Sequence, residues 1–182
     1  MAKRALPIEV DATSLPPLGM TPAIFLRDYW QKRPLLIRNA FPDFVSPISP
    51  EELAGLACED AALSRIVAHE RGTSSESSDR WLLRHGPFPE EMFPTLPQHD
   101  WTLLVQDVDK WDADVAALLP VFNFLPRWRI DDVMVSFAAP GGSVGARMST
   151  STTCSCCRRR GSGAGRSIQD PTRRSTSVST AS

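Results

Sequence analysis

The chain has 182 residues and a formal net charge of −1. That figure averages two unlike parts: residues 1–146 hold 13 basic and 20 acidic residues, a balance of −7, and residues 147–182 hold 7 basic and 1 acidic residue, a balance of +6. All the aromatic residues (8 Phe, 5 Trp, 1 Tyr) lie in the first part, no apolar run approaches the roughly 20 residues that span a bilayer, and the second part lacks the apolar content to build a core.

Residues 1–20 are Pro-rich and polar and read as a flexible leader. No apolar segment follows Lys3 and Arg4, and residues 1–146 hold one cysteine, Cys58. A secretory leader and a disulfide framework are therefore not expected, and the cytoplasm is the expected compartment. Thr21-Pro22 opens a helix: Thr is a good N-cap, and Pro at the first helical position gives up no needed donor. Arg33-Pro34 should stop it, because the residue before Pro leaves the α region. Leu35-Leu36-Ile37 suits a buried strand. Ser49-Pro50-Glu51-Glu52 starts a second helix with a capping box, and Leu53, Leu56 and Ala57 form its apolar stripe.

Residues 64–70 and 80–86 read as two strands joined by a polar loop, a hairpin with a long connection. Residues 101–106 are a third strand. Residues 111–124 have helical spacing, with Val115, Leu118, Leu119 and Phe122 on one face, and Pro126 ends the run. Residues 128–137 lead into a strand rich in β-branched and aromatic residues. Gly141, Gly142 and Gly145 punctuate the loop after it. Residues 147–182 hold nine Ser, six Thr and seven Arg, and only three large apolar residues. They show no periodicity and should be disordered.

Several segments together carry a resemblance. Tyr29-Trp30-Gln31-Lys32-Arg33-Pro34-Leu35-Leu36-Ile37 resembles the entry segment of JmjC/cupin-type 2-oxoglutarate oxygenases. Trp128-Arg129-Ile130-Asp131-Asp132-Val133-Met134-Val135-Ser136-Phe137, followed by Pro140-Gly141-Gly142-Ser143-Val144-Gly145, is similar to the segment leading into their metal site. Ile48 to Ala57 and His85-Gly86-Pro87-Phe88 match the bacterial branch, the ribosomal oxygenases, which hydroxylate an arginine of a large-subunit ribosomal protein.

The resemblance covers about residues 20–146. It implies an α+β fold: the N-terminal part of a double-stranded β-helix, or jelly roll, with flanking helices, lying in residues 21–146 between the leader and the tail. It implies an Fe(II)- and 2-oxoglutarate-dependent dioxygenase by family, with a ribosomal protein as substrate. The family's later elements, including those of homodimerisation, have no counterpart here.

In the family, a His-x-Asp pair follows the glycine loop, and a distant second His completes a 2-His-1-carboxylate face that leaves open positions for 2-oxoglutarate and dioxygen. In register those positions are 147 and 149. Here they are Arg147 and Ser149, neither an iron ligand, and no histidine follows His99. The expectation is therefore a chain without an intact catalytic set, not binding iron or 2-oxoglutarate and inactive.

The tail is compatible with a shifted reading frame, which is the hypothesis for its origin. Thr153-Cys154-Ser155-Cys156-Cys157-Arg158 is compatible with codons that, read one frame over, give Val-Phe-Leu-Leu-Gln. The same shift from the end of Arg147 permits His-Val-Asp-Gln-Tyr-Asp before it, which is the family pattern after the glycine loop.

Other candidates have plainer readings beside the functional ones. Met134 and Ser136 share one strand face. The resemblance makes that face a wall of the cofactor pocket, and a core face fits the residues equally well. His69, His85 and His99 are widely spaced, without carboxylates at ligand spacing, and read as structural or surface residues. Asp131 and Asp132 alternate sides of a strand and cannot act as a facing acid/base pair. Cys154, Cys156 and Cys157 lack the second pair a structural zinc site needs. The basic tail has no interleaved aromatics for stacking on bases, so no specific nucleic acid is expected. The alternative function is a non-catalytic protein- or RNA-interaction module using acidic body and basic tail.

Overall fold

The computed structural model describes residues 8–70, 72, 79–142, 154–158 and 177–181. The chain divides at Ser46/Pro47 into two compact units: the described residues up to Ser46, with those after Ser149, form one, and those between Pro47 and Met148 form the other. The division falls inside the stretch 21–146 that the sequence suggests as one domain.

The first unit begins with a strand, β1 (Glu9–Asp11), where a flexible leader is expected. It runs parallel to β2 (Leu35–Arg38). The alternation of Ile8, Glu9, Val10 and Asp11 lets one edge serve β2 while polar groups fix the ends: Arg38 Nε donates to Glu9 at 2.9 Å and Asn39 Nδ2 donates to Asp11 at 2.7 Å. Between the strands lies α1 (Pro22–Asp28), with Thr21 as N-cap, its side chain accepting from the Ile24 N–H. The helix stops short of Arg33-Pro34. Tyr29 is its C-cap, and Gln31 takes a left-handed φ of 55°, which no continuing helix allows. Phe25, Tyr29, Leu35 and Ile37 are buried.

Two further strands complete this sheet in the order β1-β2-β8-β7: β7 (Cys154–Arg158) and β8 (Ser177–Ala181), all pairs parallel. The sequence suggests no element in either place. The β-branched Val178 and Thr180 suit a strand, and the side of β2 away from β1 supplies the backbone partner. The remainder of residues 147–182, including Arg147 and Ser149, lies outside the described residues.

The second unit opens with α2 (Pro50–Leu56). Both halves of the capping box are formed: the Glu52 N–H donates to Ser49 Oγ, and the Ser49 N–H donates to Glu52 Oε2 at 2.8 Å. Its strands are β3 (Ser64–Glu70), β4 (Arg80–His85), β5 (Trp101–Val105) and β6 (Val135–Ala138), in the order β4-β3-β5-β6, antiparallel throughout. One face of this sheet joins α2 in a core built on Leu53, Ala57, Ile66, Leu103, Val105 and Val115. With the helices, the two sheets give the α+β class the sequence implies.

Two expected elements are broken up, each for a visible reason. The helix expected over residues 111–124 is α3 (Ala113–Ala116) followed by a 3-10 turn (Leu119–Phe122). Pro120 has no N–H and its ring clashes with the carbonyl four residues back. The strand expected over residues 128–137 starts as a 3-10 turn (Arg127–Arg129), and pairing begins only at Val135. Before that point its backbone is otherwise engaged: Val133 N–H donates to Asp109 Oδ1, and Val133 O accepts from Val108 N–H. A 3-10 helix over Glu90–Thr95 was not suggested by the sequence.

Candidate functional site

The register of the antiparallel sheet sorts side chains into rows. Arg65 pairs with His85 and with Leu104, and Leu104 pairs with Ser136, so these four lie on one face. The next row on that face holds Leu83, Val67, Thr102 and Ala138. The alternate residues, Ile66, Leu103 and Phe137, belong to the opposite face and to the core with α2.

Met134 and Ser136 fall out differently. Met134 precedes β6 and is half-buried, with its sulfur 3.8 Å from Arg65 Nη2. Ser136 is exposed on β6. The second guanidinium nitrogen, Nη1, donates to Gln106 Oε1 at 3.4 Å. Both contacts are long, and Arg65 pairs with no carboxylate among the described residues. It lines a cavity of about 210 Å3 with Asp60, Leu63, His85, Gly86 and Gln106. On the same sheet face Thr102 is 1% exposed, and its Oγ1 has no hydrogen-bond partner among the described residues. A buried hydroxyl without a partner is costly, which marks this position as chemically unfinished.

Sequence reading missed Arg65, Gln106 and Thr102. Nothing local singles them out. Only the strand register brings Arg65, 69 positions earlier, beside Met134.

The three histidines are not assembled. His69 Nε2 lies 3.2 Å from Asp79 Oδ2, and its ring stacks on Trp81 with centroids 4.4 Å apart. The hairpin supplies that carboxylate across strands, which spacing along the chain does not reveal. His99 Nδ1 lies 2.8 Å from its neighbour Asp100. His85 is exposed on β4. Among the described residues, no group of three or more His, Cys, Asp and Glu is placed to hold a metal ion.

Asp132 Oδ2 accepts from the Asp107 N–H at 3.0 Å, while Asp131 is exposed. Asp132 thus fastens the approach to β6. The Cys58 thiol is pushed up, first by burial and then by Glu90, Glu59 and Glu91 nearby, and it donates to the Ala54 carbonyl. It is a poor nucleophile there. Gly141 takes φ 73° in the turn after β6, and a Cβ on Gly142 would stand 2.1 Å from the Trp101 carbonyl oxygen. Gly145 lies outside the described residues. Cys154, Cys156 and Cys157 lie on β7.

The chain is 47% identical over 124 residues to the ribosomal protein uL16 3-hydroxylase of Escherichia coli K12, covering 68% of this chain and 31% of that one. It is 41% identical over 129 residues to a probable ribosomal oxygenase of Haemophilus influenzae, covering 71% of this chain and 30% of that one. The solved structure of YcfD, a ribosomal oxygenase from Escherichia coli, superposes with a TM-score of 0.62 at 46% identity, over 70% of this chain and 33% of that one.

The chain belongs to the bacterial ribosomal oxygenase family. It spans about a third of the length of those relatives. The same TM-score and identity hold for YcfD in complex with cobalt and 2-oxoglutarate, and the fold matched is that of a JmjC-type oxygenase. No family model matches the chain. No helix among the described residues is long and apolar enough to cross a membrane.

Proposed function

We propose that this chain derives from an Fe(II)- and 2-oxoglutarate-dependent hydroxylase acting on an arginine of a large-subunit ribosomal protein, and that in its present sequence it is catalytically inactive. The observation that carries the reading is the 47% identity to a uL16 3-hydroxylase, set against Arg147 and Ser149 at the positions where the resemblance calls for His and Asp.

The metal fits poorly. An Fe(II) centre of this kind takes two imidazoles and a carboxylate on one face. His69 and His99 each already face a carboxylate, and the described residues offer no third partner converging with them. A guanidinium at position 147 would repel a cation. No chemical step is therefore assigned to iron in this chain. The organic cosubstrate fares better: Arg65, the buried Thr102 hydroxyl and Ser136 are donors suited to a dicarboxylate on the face that the resemblance makes the pocket wall.

The domain reading follows from the same argument: a partial catalytic domain over residues 21–146, and a Ser/Thr/Arg-rich segment after it produced by a shifted frame. Reading the gene across codons 140–160 tests it. Codons that give His-x-Asp in a shifted frame are expected, and codons that cannot do so in any frame contradict the proposal.

A further inference from the structure

The outer edge of β4 combines open backbone, charge and apolar surface in one short strand. The Gly86 N–H donates to the Ser64 carbonyl at 3.0 Å. In an antiparallel ladder this sets the phase: Arg80, Leu82 and Arg84 bond to β3, and the N–H and C=O groups of Trp81, Leu83 and His85 turn outward. The other side of β3 agrees, since His69 donates to Asp100 and odd-numbered β3 residues serve β5. Among the described residues no strand pairs with β4 on its outer side.

The side chains follow the same alternation. Trp81 and Leu83 share one face and are 41% and 57% exposed. Arg80 and Arg84 share the other, both exposed, and neither forms an ion pair among the described residues. Natural edge strands are usually blunted by a bulge, a proline or a cover. Within Arg80–His85 there is no proline, and the charges on the strand are the two arginines and no acidic residue.

We propose that the β4 edge is a docking site for an extended peptide segment of a protein partner in which acidic and apolar residues alternate, added as a fifth strand. The strand period of two places the partner's carboxylates beside Arg80 and Arg84 and its apolar residues beside Trp81 and Leu83. Main-chain bonds come from residues 81, 83 and 85. A second copy of the chain is a worse occupant, because a face-preserving pairing of two β4 strands gathers four arginines on one face. This site does not depend on the enzymatic reading.

The test uses the full chain and a fluorescein-labelled peptide of alternating valine and glutamate. The expected result is saturable binding that weakens roughly tenfold or more in the double variant Arg80→Glu, Arg84→Glu. The same variant should gain affinity for an alternating valine–lysine peptide. These side chains are exposed, so the variant should keep the far-ultraviolet dichroism of the parent. Amide exchange should slow on peptide binding at Trp81, Leu83 and His85, and not at Arg80, Leu82 and Arg84. Absence of binding, equal affinity for the lysine peptide, preference for oligouridylate, or protection that rises with protein concentration alone would each overturn the proposal.

Discussion

The antiparallel sheet β4-β3-β5-β6 and the parallel sheet β1-β2-β8-β7 rest on different foundations. The first is bonded between strands near in sequence and backed by a cluster with Leu53, Ile66, Leu103 and Val105 all within 2% of full burial. The second joins β2 to β8 with Leu35 opposite Val178, across a far longer closed loop. Parallel sheets ordinarily use strands that are apolar on both faces, and Cys154–Arg158 and Ser177–Ala181 are mostly Cys, Ser and Thr by sequence. The contrast teaches that pairing alone does not measure stability: strands are paired in both sheets, but by sequence β7 and β8 bring a single large apolar residue, Val178, to the second.

Mutations at the two sheets should separate them. The largest effect is expected from Leu103→Ala, which empties a site 2% exposed in the middle of β5. A loss of about 2–5 kcal/mol is expected in denaturant unfolding. A loss much smaller than that would mean the core of the second unit is not what holds it.

Gly142→Ala comes next. Its Cβ would meet the Trp101 carbonyl at 2.1 Å and the Ala139 carbonyl at 2.7 Å, backbone atoms that cannot swing aside. A cost of roughly 1–3 kcal/mol is expected, with altered Trp fluorescence as the β5 end shifts. An unchanged spectrum would show that the turn after β6 is not clamped to β5.

Ser49→Ala should cost about 1 kcal/mol by removing the cap of α2. The Glu52 carboxyl is held below the usual carboxylate range, first by the Ser49 backbone N–H and then by its side chain. A depressed folded-state value gives stability that is present above the ordinary carboxylate range and lost as pH falls through the folded value. Glu52→Gln should therefore flatten the acid limb of the stability curve. Parallel limbs in parent and variant would deny the capping box a role in acid unfolding.

Deleting residues 147–182 should produce the smallest effect, about 1 kcal/mol or less, since one large apolar residue, Val178, lies in the strand next to β2. A large loss would place the parallel sheet on the same footing as the antiparallel one.

Local chemistry made much of this fold legible. Thr21 and Ser49 announce their helices because capping acts within a few residues, and β3, β4 and β5 announce themselves by composition. Pro120 breaks the helix despite the apolar spacing of Val115, Leu118 and Phe122, an instance of one missing donor outweighing a pattern. The row of Arg65, Leu104 and Ser136, and the unpartnered hydroxyl of Thr102, were not legible. They depend on register across three strands, which no single segment encodes. The strand at Glu9–Asp11 was hidden for the same reason: three residues become a strand only when β2 lies beside them.

The proposal at stake is that Arg147 and Ser149, standing where the resemblance calls for His and Asp, leave this chain unable to turn over 2-oxoglutarate. Its most direct test is Fe(II)-dependent conversion of 2-oxoglutarate to succinate by this chain alone. No succinate above the metal-free control is the expected result. Steady turnover that disappears when the metal is chelated would contradict the account.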